Sequence, residues 1–381
     1  MPKRGGKATR RQVLWDEATE FCRARLASLS EKPDGEFPRT AFQGCGEFRL
    51  PGLCVPEEHG GKGLSCAEAA AVFEAFGYVC PDNGLLASVV AQFTGCVVPI
   101  WKWGTAEQRQ RFLPSLCSGT LVTAHAATEP DAGSDLFSLQ TTALPSARGY
   151  VLNGRKTYVL NAFAADLVLV MATTKPDRPQ EGLTAFLVER GTSGMSVTRR
   201  IEKVGLRGAE LGELTFENCE VPEENRLGAI GSGMMLFHTA MLWERTFVMA
   251  PHIGTMQRVI ERCVAYAKTR QQFGQNIGKF QSVSNRIADM KVRSVASRRL
   301  LAAAAAGIDE GTRDLMDASI AKLFASEAAV ETYLDAIRIH GAYGYTEEAE
   351  FAADLRDAVA TVIVAGTSDI QRAIIARHLG L

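Results

Sequence analysis

A chain of 381 residues has room for two or three packed units rather than one small core. Charged residues make up 22% and the net charge is −1, which leaves no long-range field to steer the chain toward nucleic acid or an anionic membrane. Nine cysteines form no C-x-x-C pair and no secretory apolar core follows the basic start, so a reduced, cytoplasmic protein with free buried thiols is expected.

Lys3, Arg4, Lys7, Arg10 and Arg11 crowd the first eleven residues and read as a solvated, frayed start. "RQVLWDEATEFCRARLASL", "CAEAAAVFEAFGYVC" and "TAEQRQRFLPSLCSG" then show helical spacing. Between the last two, residues 83–101 carry no charge over nineteen positions. Gly84, Gln92 and Pro99 within that run predict a buried core helix rather than a membrane span. Residues 1–121 are expected to form an N-terminal helical domain.

The pattern changes over 122–231 to short β-branched runs broken by Gly, Asn, Asp and Pro. "YVLNGRKTYVLN", "ADLVLVMATT", "LTAFLVER", "MSVTRR" and "ELTFENCEV" are strand-length segments of a central β-domain. From 232 to 381 helical spacing returns, in "ERCVAYAKTR", "VASRRLLAAAAAG", "IAKLFASEAAVETYLDAIRIHG" and "SDIQRAIIARHLG". Helices, a β block, then helices make an α+β arrangement. There is no Walker motif and no G-x-G-x-x-G opening a βαβ unit. The six histidines sit singly, without metal-ligand spacing, so no metal is expected.

In "FHTAMLWERTFVMAPH", residues 237–252, Glu244 and Arg245 are the only charges between Arg226 and Arg258. On a helix the neighbours of Glu244 three and four positions away are Ala240, Met241, Phe247 and Val248, all apolar. A carboxylate placed there is expensive unless it is paired or used. Either it pairs with a buried Arg or it faces a cavity and takes a proton.

Four loops carry polar groups in a fixed order. "HAATEPDAGSD" (125–135) supplies Thr128, Ser134 and Asp135 beside a permissive Gly133. "TRQQFGQNIGKFQ" (269–281) pairs Arg270 with an aromatic and a glycine, and "RIHGAYGYTEEAEFAADLRDA" (338–358) reads as a Gly-rich turn after a helix. In "AGTSDIQRAIIARHL" (365–379), Thr367 and Ser368 look like helix-cap hydroxyls.

Together with "CVPEEHGGKGLS" (54–65), "LNGRKTYVLNAFAADLVLV" (152–170) and "EKVGLRGAELGELTFENCEVP" (202–222), these loops resemble the acyl-CoA dehydrogenase family over almost the whole chain. The resemblance implies an N-terminal helical domain, a central β-domain and a C-terminal four-helix bundle, with FAD between the last two. It implies a homotetramer or homodimer in which a neighbouring subunit completes the FAD site. His125, Thr128 and Ser134 are expected against the flavin edge and the thioester, with Ser134 and Arg245 touching substrate. Tyr158 stands where the family usually has Trp against the flavin, and Leu160 where it usually has a flavin-bonding Thr. Arg270, Phe273 and Gln281 are expected to grip the neighbouring subunit's FAD, and Thr367 and Asp369 to approach the cofactor from the C-terminal loop. Arg338 replaces the usual Gln and Ala342 the usual Gly at two further FAD positions.

Most of the family places its catalytic glutamate immediately before G-T-S, where this chain has Ala365. A minority carries the base in an "ER" pair on the bundle helix, which is the position of Glu244. The resemblance therefore makes Glu244 the base and leaves Ala365 only its backbone N–H for the thioester oxygen. "WERT" with a non-glutamate "GTSD" tail looks most like the subgroup that dehydrogenates L-prolyl groups on carrier proteins in secondary metabolism. The substrate implied is a phosphopantetheine thioester, on a carrier protein or CoA, with electron-transfer flavoprotein or oxygen as acceptor. A short or branched acyl-CoA dehydrogenase, a flavin oxidase or monooxygenase, and a non-catalytic flavin scaffold are the alternatives.

Overall fold

The computed structural model describes residues 9–26 and 37–381. Lys3, Arg4 and Lys7 lie outside the described residues. Arg10 and Arg11 correct the expectation of a frayed start. They open helix α1 (Arg10–Arg25), capped by the Thr9 hydroxyl, and pair with Glu68 and Glu74.

The N-terminal part continues with α2 (Arg39–Glu47), α3 (Cys66–Val79), α4 (Asn83–Gln92), α5 (Val98–Trp103) and α6 (Ala106–Cys117). Local chemistry sets the starts. Ser65 with Glu68 and Thr105 with Gln108 form capping boxes, and Asp82 caps α4. The uncharged run becomes α4, a π-helical segment (Phe93–Val97) and α5, and 83% of its most apolar window is buried inside the protein. Gln92 is fully buried yet satisfied: it donates to the carbonyls of Leu116 and Leu121 and accepts from the Thr123 amide.

The middle of the chain supplies β1 (Thr123–Ala126), β2 (Thr142–Ser146), β3 (Gly149–Leu160), β4 (Leu167–Thr173), a single helical turn α7 (Pro179–Gly182), β5 (Leu183–Glu189), β6 (Met195–Arg200), β7 (Leu211–Pro222) and the short β8 (Arg226–Leu227). They form one mixed sheet in the order β6-β7-β3-β2-β4-β5-β8, with β1 parallel beside β4. β4 is buried at every position, which is why it reads as an unbroken apolar run. One face of the sheet packs on α5 and α6, the other on its own inward residues such as Tyr150, Phe186 and Phe216.

The C-terminal four-helix bundle consists of α8 (Gly233–Phe247), α9 (Ala250–Thr269), α10 (Gln281–Asp309) and α11 (Met316–His340). Between α9 and α10 runs a small hairpin of β9 (Gln271–Gln272) and β10 (Gln275–Asn276). After the bundle come α12 (Phe351–Thr361) and α13 (Ser368–His378). α12 lies within the stretch expected to be a Gly-rich turn; only 341–350 is turn-like, and Phe351 and Ala358 bury α12 against the bundle.

α3 and α9 share one core and cross in backbone contact. A Cβ on Gly77 would lie 1.9 Å from the Pro251 carbonyl oxygen, and one on Gly254 1.9 Å from that of Glu74. Helix propensity alone favours Ala over Gly by about 1 kcal/mol. The backbone clash outweighs it, so Gly77→Ala is expected to destabilise the protein by about 1–3 kcal/mol through overpacking. A lower thermal midpoint checks this, and a higher one would mean the two helices part at no cost.

Candidate active site

One cavity of about 510 Å³ lies where the three parts of the chain meet. Phe237, Met241, Glu244, Arg245 and Val248 line it from α8, at the spacing of one helix face. Facing them are His125 and Thr128 from β1 and the loop after it, Gly133 and Ser134 further along, Tyr158 and Leu160 at the end of β3, and Ala365, Gly366 and Thr367 from the loop before α13.

Glu244 makes no ion pair and no side-chain hydrogen bond among the described residues, including with Arg245. Burial pushes its pKa up to about 7 against the opposing charges of Arg245 and Lys322. Part of the carboxylate opens on the cavity, so the desolvation comes from the surrounding apolar wall. Of the two readings left open by its sequence context, pairing with a buried Arg is not what the geometry displays.

Arg245 turns the other way. It is 5% exposed, its Nε donates to the Ala365 carbonyl at 3.0 Å, and burial lowers its pKa to about 10. Its Nη1 is buried without a partner among the described residues, and the residue itself lines the cavity. Ala365 sits at φ +57 and Gly366 at +89, a strained pair for an alanine. Gln371 Nε2 donates to both carbonyls, at 3.0 and 2.8 Å, and Lys322 Nζ to Gly366 at 2.9 Å. The Ala365 amide finds no acceptor among the described residues.

On the opposite wall a buried ion pair shapes the 127–141 loop. Lys156, on β3, donates to the Ala127 carbonyl (3.0 Å) and to Glu129 (2.7 Å), and Glu129 accepts from the amides of Gln140 and Thr141. Thr157 N–H donates to the Thr128 carbonyl at 2.9 Å. The loop thus presents the Thr128 and Ser134 side chains beside Tyr158, which is 64% exposed at φ +53. His125 Nε2 is buried without a partner, and burial followed by the nearby Lys156 charge lowers its pKa to about 4, so the ring is neutral.

Other expected positions fall elsewhere. Asp135 does not reach the cavity; it caps the turn at 136–138 by accepting from the Phe137 amide. Asp369 also stays out, exposed and 3.3 Å from Arg372, while Thr367 both lines the cavity and caps α13. Arg270, Phe273 and Gln281 lie on the surface at the β9–β10 hairpin, with Phe273 93% exposed. Arg338 joins Arg286 and Arg293 around the buried Asp335, and Ala342 is exposed at the turn before Tyr343–Tyr345. Lys156, Glu129, Lys322 and Gln371 were not singled out from the sequence. A lysine whose helical neighbours, Ala318, Ser319, Ala325 and Ser326, are all small is the signal that points to Lys322. Among the described residues no group of His, Cys, Asp and Glu could hold a metal ion.

Models of the N-terminal, middle and C-terminal domains of acyl-CoA dehydrogenases match residues 9–120, 124–219 and 231–380. The chain is similar to an L-prolyl-[peptidyl-carrier protein] dehydrogenase of Pseudomonas fluorescens, 40% identical over 95% of this chain and 96% of that one. It is 38% identical to a mitochondrial isovaleryl-CoA dehydrogenase of Solanum tuberosum, over 96% and 89%. Among solved structures, the prolyl acyl carrier protein oxidase AnaB matches with a TM-score of 0.95 at 42% identity, covering 99% of this chain and all of that one. PigA with FAD and proline matches with a TM-score of 0.93 at 36% identity, covering both chains fully.

Proposed function

The chain belongs to the acyl-CoA dehydrogenase family, and within it we propose an FAD-dependent dehydrogenase of a prolyl group held as a thioester on a peptidyl carrier protein. The observation that carries the reading is the unpaired Glu244 carboxylate on the wall of a cavity that also holds the free Ala365 amide. Likeness to a prolyl-carrier-protein dehydrogenase and to AnaB supports the choice of acyl group.

The cavity fits a flavin. Tyr158 offers an exposed ring, Leu160, Leu206 and Leu211 offer apolar surface, and the unpartnered His125 Nε2 and the Thr128 and Ser134 hydroxyls offer polar contacts to a ring edge. Thr367 would meet it from the C-terminal loop. Arg270, Phe273, Gln281, Arg338 and Ala342 lie on the surface where a second subunit's cofactor would be met, in a homotetramer or homodimer. When bound, FAD supplies the hydride acceptor.

The chain's own residues prepare the substrate. The thioester α-C–H is a very weak acid, so its removal needs a base and a donor to the carbonyl oxygen together. Glu244 takes the proton, and a proton affinity near pH 7 suits a base working at neutral pH. The Ala365 N–H donates to the oxygen where charge gathers, with the Arg245 guanidinium holding the Ala365 carbonyl behind it. Met241, Phe237 and Val248 keep water from the reacting carbons. Alanine at 365 leaves space beside Cα that a glutamate would fill. Nine free, buried thiols support a reducing, cytoplasmic setting. Reduced flavin would pass its electrons to electron-transfer flavoprotein or to oxygen.

The test is an anaerobic titration of the flavin-loaded protein. Prolyl carrier protein is expected to bleach the oxidised-flavin absorbance, and isovaleryl-CoA to leave it. Bleaching by the acyl-CoA alone would move the enzyme to branched-chain acyl-CoA chemistry, the second reading that the isovaleryl-CoA dehydrogenase likeness supports.

A further inference from the structure

Lys322 is a lysine that its surroundings do not explain. It is 0% exposed on α11, its ammonium makes no ion pair among the described residues, and its one hydrogen bond goes to the Gly366 carbonyl at 2.9 Å. Burying an unpaired ammonium is expensive and persists only where something uses the charge. Arg245, beside it, is a second buried cation without a carboxylate partner, also tied to this loop, through the Ala365 carbonyl. With Gln371 they fix the carbonyls of both residues 365 and 366. Two consecutive carbonyls held in this way hold the strained backbone that presents the Ala365 amide. Two cations meet the single carboxylate of Glu244 at the cavity wall, and the further acid near Lys322, Glu327, is paired with Arg372.

We propose that Lys322 is a positioning residue of this site: it locks the loop that aims the Ala365 N–H at the thioester oxygen, and it holds positive charge beside the anion that forms there as the α-proton leaves. The inference rests on the reading of Glu244 as the base. Atoms and charge balance within the step: the α-C–H bond breaks, the proton goes to Glu244, and the electron pair is delocalised onto the thioester oxygen. A donor preorganised against that oxygen lowers the barrier without reorganising during the reaction.

The charged and titratable groups around Lys322 are Glu244 and Arg245 from α8 and Glu327 from α11, which is itself paired with Arg372 of α13. His238 faces Arg245, and Cys96 of the π-helical segment faces Glu244. Lys322 and Arg245 oppose the upward push of burial on Glu244. Removing the Lys322 charge therefore raises the Glu244 pKa, and the acid limb of the rate profile moves to higher pH.

The experiment compares Lys322→Met with Glu244→Gln in the flavin-loaded protein. The first readout is the infrared carbonyl stretch of ¹³C-labelled pivaloyl-pantetheine, a thioester with no α-hydrogen to lose. The parent and Glu244→Gln are expected to shift that band to lower frequency, and Lys322→Met to lose most of the shift. The second readout is substrate-driven bleaching, expected to slow by about 10–100-fold in Lys322→Met, with substrate affinity little changed and its acid limb moved upward. A folded, yellow Lys322→Met with the parent's carbonyl shift and pH profile overturns the proposal. Retained bleaching in Glu244→Gln overturns the base assignment instead, and the carbonyl band still decides for Lys322. If the methionine variant does not fold, Lys322→Gln decides: it keeps a donor for Gly366 without the charge. The acid limb must still move upward in that variant, and an unmoved limb rejects the electrostatic role.

Discussion

Glu244→Gln is expected to keep its yellow flavin, lose substrate-driven bleaching by about 10²–10⁴-fold, and melt at a higher temperature than the parent. The first loss follows from the missing base, since among the described residues no second carboxylate lines the cavity. The gain in stability follows from the same burial. In the folded chain the carboxyl takes its proton at about 7, against 4.5 for an unperturbed glutamate. Between those values the folded state binds more protons than the unfolded one, so stability falls as pH rises from 4.5 to about 7 and the full penalty stands above it. That penalty is at most about 3 kcal/mol, and less for the part of the carboxylate open to the cavity. Glutamine is nearly isosteric and carries no charge to desolvate. Melting curves at pH 5 and pH 8 give the check: the variant should lead the parent at pH 8 and the gap should shrink toward pH 5. For catalysis, bleaching in the parent should rise with pH through about 7 as Glu244 ionises. Near-parental bleaching in the variant would remove Glu244 from the chemistry, and an unchanged melting curve would mean that its charge is solvated.

The elements that sequence patterning located are those whose burial is decided locally. β4 is apolar at every position because both its faces are covered, and α3 announces its start with Ser65 and Glu68. α12 escaped because it follows a stretch with two glycines, Gly341 and Gly344, and its acids are buried by partners far away in the chain. Asp354 meets Arg258 and Asn83, and Asp357 meets Asn83 and the Leu206 amide. No local pattern reports such partners. Glu244 stood out because every helical neighbour is apolar. Lys322 fails that test because two of its helical neighbours, Ser319 and Ser326, are polar, and what marks it is that all four, with Ala318 and Ala325, are small and buried. The reversed backbone at Tyr158 and Ala365 was out of reach for a different reason: positive φ at a residue other than glycine is imposed by the surrounding structure and leaves no mark in composition.

Lys156→Met is expected to lower stability by about 3–5 kcal/mol, the cost of leaving a buried charge without its partner, and to weaken flavin retention with it. Lys156 is 0% exposed and Glu129 5%, so neither can turn to water when the other is lost. Burial pulls the Lys156 pKa down to about 8 despite Glu129. Burial alone would push Glu129 up, but the Lys156 charge and the Thr141 and Gln140 hydrogen bonds hold it below the usual carboxylate range. Each group therefore helps to keep the other charged. The pair also sets the cofactor wall: Glu129 fixes the amides that close the 127–141 loop, and Lys156 stands two residues before Tyr158. Adding Glu129→Gln to Lys156→Met removes the stranded charge while keeping one oxygen for the loop amides. The double variant should recover most of the stability, because an absent buried pair costs far less than a broken one. Its flavin retention should recover less, since nothing then ties the loop to β3 through the Ala127 carbonyl. Urea midpoints and flavin content of the parent, both single variants and the double variant give the coupling directly. A single variant as stable as the parent would mean that Glu129 finds another partner. Equal recovery of stability and flavin in the double variant would mean that the pair serves the fold alone, and that Thr128 and Ser134 are placed by the Thr157 amide without it.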